Sequence, residues 1–208
     1  GENMPGKEIK GRSKIATSRH GGRAGYGEGK LVTLRKLLKE KGQWDILCVV
    51  TPDHQSKFRI PMFLKNVSSY LECNTIMLDF VDTGWRSNNQ ANPINGDIVT
   101  PIKEKINSKE WSMILTHGES GEYGHYHHIQ VHKAVKSILE KNNNLDKLFV
   151  FDPIKNSNPL TLSKEKLSLF ENTYDLEHDL PIGHPTKWIH GWNTSMGWEE
   201  RIIKYKNE

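Results

Sequence analysis

The feature that most constrains this chain is an alternation of short, largely apolar runs with segments whose apolar residues recur at helical spacing. Ile46 to Val50, Thr75 to Val81, Trp111 to Leu115 and Leu148 to Phe151 read as buried strands, and Lys14 to Thr17 ends a shorter one. Between them, Leu31, Leu34, Leu37 and Leu38 recur at helical spacing up to Gly42. Phe63, Val67 and Leu71 mark a helix starting near Lys57, and Pro101 to Ile106 a third. Ile129 to Lys141 forms a fourth, with Val131, Val135, Ile138 and Leu139 facing inward. Strands buried on both faces and separated by crossover helices belong to a parallel sheet. The expectation is therefore an α/β fold: a Rossmann-like, mostly parallel sheet with helices on both faces, in a single domain over residues 14–208 behind a flexible segment, 1–13.

With 208 residues, 35% of them hydrophobic, the chain can bury a sizeable core. No apolar run reaches 18 residues, and Gly1 to Arg12 is polar, so no membrane span and no signal peptide are expected and the cytoplasm is the expected compartment. Cys48 and Cys73 lie in or beside apolar runs and read as buried free thiols. A net charge of +4 and a pI near 8.9 suit anionic small molecules such as sugar nucleotides without indicating nucleic acid.

Chemistry concentrates in one loop. Thr116-His117-Gly118-Glu119-Ser120-Gly121-Glu122-Tyr123-Gly124-His125-Tyr126-His127-His128-Ile129-Gln130-Val131-His132 holds five of the ten histidines. It follows a strand and leads into a helix, and ligands of open α/β sheets bind outside the carboxyl ends of strands. His125 and His128 stand three apart across a loop-to-helix junction and can point into one cleft; His128 and His132, four apart, share a helix face. Imidazole suits zinc or iron.

This segment resembles the second signature of the PIG-L/LmbE family of metal-dependent sugar de-N-acetylases, roughly Thr-His-x-x-x-Gly-x-Tyr-Gly-His-x-x-His. Thr116, His117, Gly121, Tyr123, Gly124, His125 and His128 occupy its fixed positions. The resemblance implies that His128 is a zinc ligand and that His125 stabilises the tetrahedral intermediate and protonates the leaving amine. It places Arg59 and Asp82 at the substrate, matches Lys164 to Tyr174 to a late helix, and spans about residues 14–175.

The family's first signature, His-Pro-Asp-Asp-Glu, falls on Arg19-His20-Gly21-Gly22-Arg23 when room is left for a strand and a helix before Arg59. His20 then fits the first zinc ligand, while Gly22 and Arg23 stand at the two aspartates. A second alignment, on Val50-Thr51-Pro52-Asp53-His54-Gln55, keeps the Pro-Asp pair but leaves no such room. A hydrolytic zinc site needs about three protein ligands, an open position and a base within reach of water. His20 and His128 supply two ligands; Asp53, His54, Glu28 and Glu122 are candidates for the remainder, with Asp53 the expected base.

The glycine-rich stretch from Arg19 to Gly29 also fits a phosphate cradle built on a helix N-terminus, with Arg23 beside the substrate, or a flexible turn. Trp188, Trp192 and Trp198 offer flat faces for a sugar, or complete the core. The function expected is metal-dependent de-N-acetylation of an N-acylated amino sugar or sugar conjugate, with zinc or another divalent metal as cofactor and with His125 and Asp53 catalytic. Arg59, Asp82, Tyr123 and Arg23 would bind substrate, and His20 and His128 the metal. The alternatives are a metal-free glycosyltransferase using a nucleotide sugar on the same scaffold, or a non-catalytic carbohydrate-binding protein.

Overall fold

The computed structural model describes residues 13–17, 43–51, 60–83, 92–154 and 201–207. His20, Glu28, Arg23, Asp53, His54, Arg59, the three late tryptophans, the leucine-patterned segment before Gly42 and the match at Lys164 to Tyr174 lie outside them. So do nearly all of the 1–13 segment and the side chain of Tyr123.

Six strands form one sheet: β1 (Ser13–Thr17), β2 (Trp44–Thr51), β3 (Asn74–Val81), β4 (Ile114–Thr116), β5 (Leu148–Phe151) and β6 (Ile202–Lys204). Their spatial order is β3-β2-β1-β4-β5-β6. Every pairing is parallel except β5 with β6, where Val150 faces Ile203. The fold is thus mixed α/β. The chain runs outward from β1 through β2 to β3, then returns to β4 on the other side of β1. Ala16 pairs with both Leu47 and Thr116, so the carboxyl ends of β1, β2 and β4 lie side by side.

Burial explains the strand pattern. From Trp44 to Val50, β2 is buried without interruption because neighbours pair with both of its edges, whereas β3 on the sheet's edge is only partly covered. Asp45, inside this apolar run, is 1% exposed and is held by Lys105 at 2.8 Å, Lys109 at 3.5 Å and the Asn74 amide at 3.0 Å. Cys48 and Cys73 are buried free thiols, as expected, and burial pushes the Cys73 thiol up to about 12.

Open π-type turns over Met62–Val67 continue into α1 (Ser68–Leu71). Helix α2 (Val99–Asn107) begins two residues before the expected Pro101, which is tolerated there because N–H groups of the first turn have no partner within the helix. The Asp97 carboxylate caps that turn, accepting from the N–H groups of Val99 and Thr100. Helix α4 (Tyr126–Lys141) lays Val131, Ala134, Val135, Ile138 and Leu139 against Ile102 and Ile106 of α2 and against the sheet. The valine, isoleucine and leucine side chains among them contribute roughly 1.5–3 kcal/mol each when fully buried. No helix among the described residues is long and apolar enough to cross a membrane.

Two strands depart further from expectation. The run beginning at Trp111 becomes strand only from Ile114, because Trp111 instead sends its indole N–H to the Ile106 carbonyl at 2.9 Å and closes the end of α2. Strand β6, in a stretch with little apolar pattern, owes its existence to pairing with β5 rather than to its own sequence.

Candidate functional site

Strand β4 delivers Thr116 and His117, both fully buried, to the carboxyl edge of the sheet. Gly118 follows because the chain passes close to β5: a Cβ there would stand 2.8 Å from the Phe151 carbonyl oxygen. A single helical turn, α3 (Gly121–Gly124), reverses the chain with positive φ at Gly121, Glu122 and Gly124. Helix α4 then starts at Tyr126, three residues earlier than its apolar spacing suggests, so His127 and His128 stand on its first turn.

His125 is the residue that starts this helix. Its Nδ1 accepts from the backbone N–H of His127 at 3.1 Å, in the role usually taken by an Asn or Asp oxygen. Nδ1 being an acceptor, a neutral His125 carries its proton on Nε2. The ring is 1% exposed, so the imidazole is a buried capping group rather than a partly exposed loop side chain.

The imidazoles form a contiguous cluster. The ring centroids of His125 and His128 lie 4.6 Å apart, and those of His128 and His117 are stacked at 3.8 Å with 11° between their planes. Glu122 closes the group. Its Oε1 accepts from the Gly118 N–H at 2.6 Å, while its Oε2 lies 2.7 Å from His128 Nδ1 and 3.0 Å from His117 Nδ1. The side chains of His117, Glu122 and His128 are all 0% exposed. Their nearest donor atoms lie within 4.8 Å of one another.

Two imidazoles and a carboxylate are the donor set of a divalent zinc-like ion. The distances assign the roles. Tetrahedral ligands about 2.0–2.1 Å from one ion stand about 3.3 Å from each other. The 2.7 Å between Glu122 Oε2 and His128 Nδ1 is therefore a hydrogen bond, not an edge of a coordination shell. His128 fits a ligand through its other nitrogen.

Further hydrogen bonds seat the cluster. His132, one turn beyond His128, donates from Nδ1 to the His117 carbonyl at 2.7 Å, and burial lowers its pKa. The His127 ring meets the His125 ring edge-on, with 5.0 Å between centroids. Its Nε2 meets the Asn92 carbonyl at 2.7 Å and Thr83 Oγ1 at 2.9 Å, and burial lowers its pKa while the nearby Asp82 opposes the shift. Thr83 and Asn92 also bond each other, and the Ile94 N–H donates to Gln130 Oε1, so the segment around Asn92 is tied to α4. Asp82 stands one residue past β3, its N–H donating to the Thr51 carbonyl, at the same edge of the sheet.

The structure thus brings His125 and His128 together, with Asp82 near His127, and joins to them His117 and Glu122, the latter one of the four candidates for the remaining ligands and base. Glu122 had one visible signal, its place between two motif glycines; His127, bonded to residues 44 and 35 positions away, had none. A cavity of about 780 Å³ opens beside the cluster, lined by Gly118, Ser120, Glu122, Phe151, Asp152 and Tyr205 among others. That volume lies in the range of small-molecule sites.

No family model matches the chain. A curated relative, uncharacterized protein L374 of Acanthamoeba polyphaga mimivirus, is 26% identical over 156 residues, covering 68% of this chain. The match spans 65% of that relative's length. Among solved structures, N,N'-diacetylchitobiose deacetylase from Pyrococcus horikoshii, complexed with its inhibitor MPG, aligns over 96% of this chain and 86% of its own, with a TM-score of 0.56 and 13% identity. This likeness is one of fold.

Proposed function

We propose that this chain is a metal-dependent de-N-acetylase of the PIG-L/LmbE type, acting on an N-acylated amino sugar or sugar conjugate. The observation that carries the reading is the pairing of His125 with His128 in one buried cluster at the carboxyl edge of the sheet. One imidazole has the surroundings of a metal ligand and its neighbour presents an N–H. The fold shared with a chitobiose deacetylase supports it.

A divalent ion held by His128, with His20 as a further ligand, would supply Lewis acidity and a water acidified toward neutral pH. His125, with its proton on Nε2, donates a hydrogen bond to the oxyanion that forms at the amide carbon and stays neutral throughout. Asp53 accepts the proton from water and returns it to the leaving amine as the C–N bond breaks. Arg59, Asp82, Tyr123 and Arg23 hold the sugar and any phosphate attached to it. Gly22 and Arg23, standing where the resemblance puts two aspartates, favour a second reading: the same scaffold without metal, transferring a glycosyl group from a nucleotide sugar.

Amine release from N-acetylglucosamine-containing substrates tests this, with zinc or with a chelator, in wild type, His125→Asn and Asp53→Asn. Zinc-dependent release, reduced at least a hundredfold in His125→Asn, is expected. No amine from any such substrate, together with consumption of a nucleotide sugar, would establish the transferase instead.

A further inference from the structure

Glu122 sits in a backbone conformation that its residue type avoids. Its φ is +62°, in the left-handed region, between Gly121 at +64° and Gly124 at +86°. A glycine would adopt this turn without strain, as its neighbours do. Strain retained at a buried residue indicates that its side chain is what the position requires.

That side chain dictates protonation. An ionised carboxylate only accepts hydrogen bonds, so the two ring nitrogens beside Oε2 must both be donors. His117 and His128 then carry their protons on Nδ1, and each neutral ring has its lone pair on Nε2. We propose that Glu122 is a positioning residue: it locks His128 in the Nδ1–H tautomer, so that the nitrogen offered to a metal is Nε2, while His117, stacked on His128 and bonded to the same oxygen, holds the ring plane. The second half of this rests on the reading of His128 as a metal ligand; the tautomer does not.

Two consequences follow. A carboxylate receiving the Nδ1 proton makes Nε2 a more basic ligand, as in carboxylate–histidine–zinc arrangements. With both rings neutral, the cluster also holds the single negative charge of Glu122 away from water, which favours a cation next to it. Helix α4 fixes His128, β4 fixes His117, and the strained turn between them fixes Glu122, so three separate elements converge on one oxygen atom.

The test is nitrogen-15 NMR of the imidazoles in metal-stripped protein, followed by titration with cobalt(II) read by its absorption. In the wild type, His117 and His128 are expected as Nδ1–H tautomers before any metal is added. Glu122→Gln offers one acceptor and two donors in place of the carboxylate; it should break the uniform tautomer of His128 and weaken cobalt binding about 10–100-fold. Glu122→Asp, which keeps the charge, should recover part of both, and serves if the glutamine variant does not fold. An Nε2–H tautomer at His128 in the wild type, or an unchanged tautomer in Glu122→Gln, would overturn the proposal. Wild-type protein with the expected tautomer that binds no cobalt would confirm the lock and overturn the metal reading alone.

Discussion

The turn over Gly121–Gly124 permits a graded perturbation of the site. Gly121 and Gly124 both have positive φ, +64° and +86°, so an alanine at either carries the left-handed penalty of roughly 1–2 kcal/mol. Their surroundings differ. A Cβ on Gly124 meets nothing within 4 Å, whereas one on Gly121 would stand 2.9 Å from Ile129 Cγ1 and 3.3 Å from His128 Cβ. Ile129 is only half-buried and its side chain can turn aside, so the overlap belongs at the low end of the overpacking range, about 1 kcal/mol. Gly121→Ala should therefore cost about 2–3 kcal/mol and Gly124→Ala about 1–2. The entropy that alanine removes from the unfolded chain is the same in both and cancels in the difference. At about 2–4 °C per kcal/mol for a chain of this size, Gly121→Ala should lower Tm by roughly 4–12 °C and Gly124→Ala by roughly 2–8 °C.

The two variants should separate further in function. His128 Cβ is one of the atoms displaced in Gly121→Ala, so metal affinity should fall more there than in Gly124→Ala. Urea denaturation followed by circular dichroism, with cobalt titration of the same samples, measures both quantities. Equal losses of stability, or a larger loss in Gly124→Ala, would show that the packing of this turn against α4 is not as described.

His125→Ala should lose about 1 kcal/mol of helix-capping stability while His125→Asn, whose side-chain oxygen can accept from the His127 N–H, should lose little; both should lower the rate of amine release by two or more orders of magnitude, and activity surviving in either would remove His125 from the chemistry. Zinc at a hundred times its dissociation constant should stabilise the protein by about 2.7 kcal/mol, a rise in Tm of roughly 5–10 °C that a chelator reverses. His127 and His132 have pKa values lowered by burial, so the unfolded chain takes up protons at a higher pH than the folded one. Metal-free protein should accordingly hold its full stability above about pH 6.5 and lose it as the pH falls below that, and a urea midpoint flat from pH 7.5 to 5 would contradict the burial of these rings.

The sheet was legible where burial is two-sided. Ile46 to Val50 and Leu148 to Phe151 are continuous apolar runs because they lie inside the sheet, and such runs are visible without knowing their partners. Elements whose form depends on a distant partner were not. Strand β6 is three residues, one of them lysine, and is specified by β5 more than fifty positions earlier. Strand β2 extends back from Ile46 to Trp44 across a buried carboxylate, because Lys105, sixty residues on from Asp45, reaches it. Trp111 looks like the first residue of a strand, yet its indole N–H finds a carbonyl in the preceding helix and the strand starts later.

The same distinction governs the site. The histidine loop could be placed at the carboxyl edge of the sheet because it follows an apolar run and precedes a helical one. The start of α4 was misplaced because histidine is not among the residues that ordinarily announce a helix; here Nδ1 of His125 occupies the place of a capping oxygen, and the helix gains one turn carrying His127 and His128. That turn has a chemical consequence. A ring whose Nδ1 is engaged by a backbone N–H can present a proton only from Nε2, while a ring whose Nδ1 donates to Glu122 can present only a lone pair there. His125 and His128, three residues apart, are thereby set as opposite tautomers, one a donor and one an acceptor at the corresponding atom. The de-N-acetylation proposed above, which binds an electron-poor ion and an electron-rich oxygen at once, would use this asymmetry. Here it arises from the cap of one helix and one strained glutamate, neither of which a count of histidines reveals.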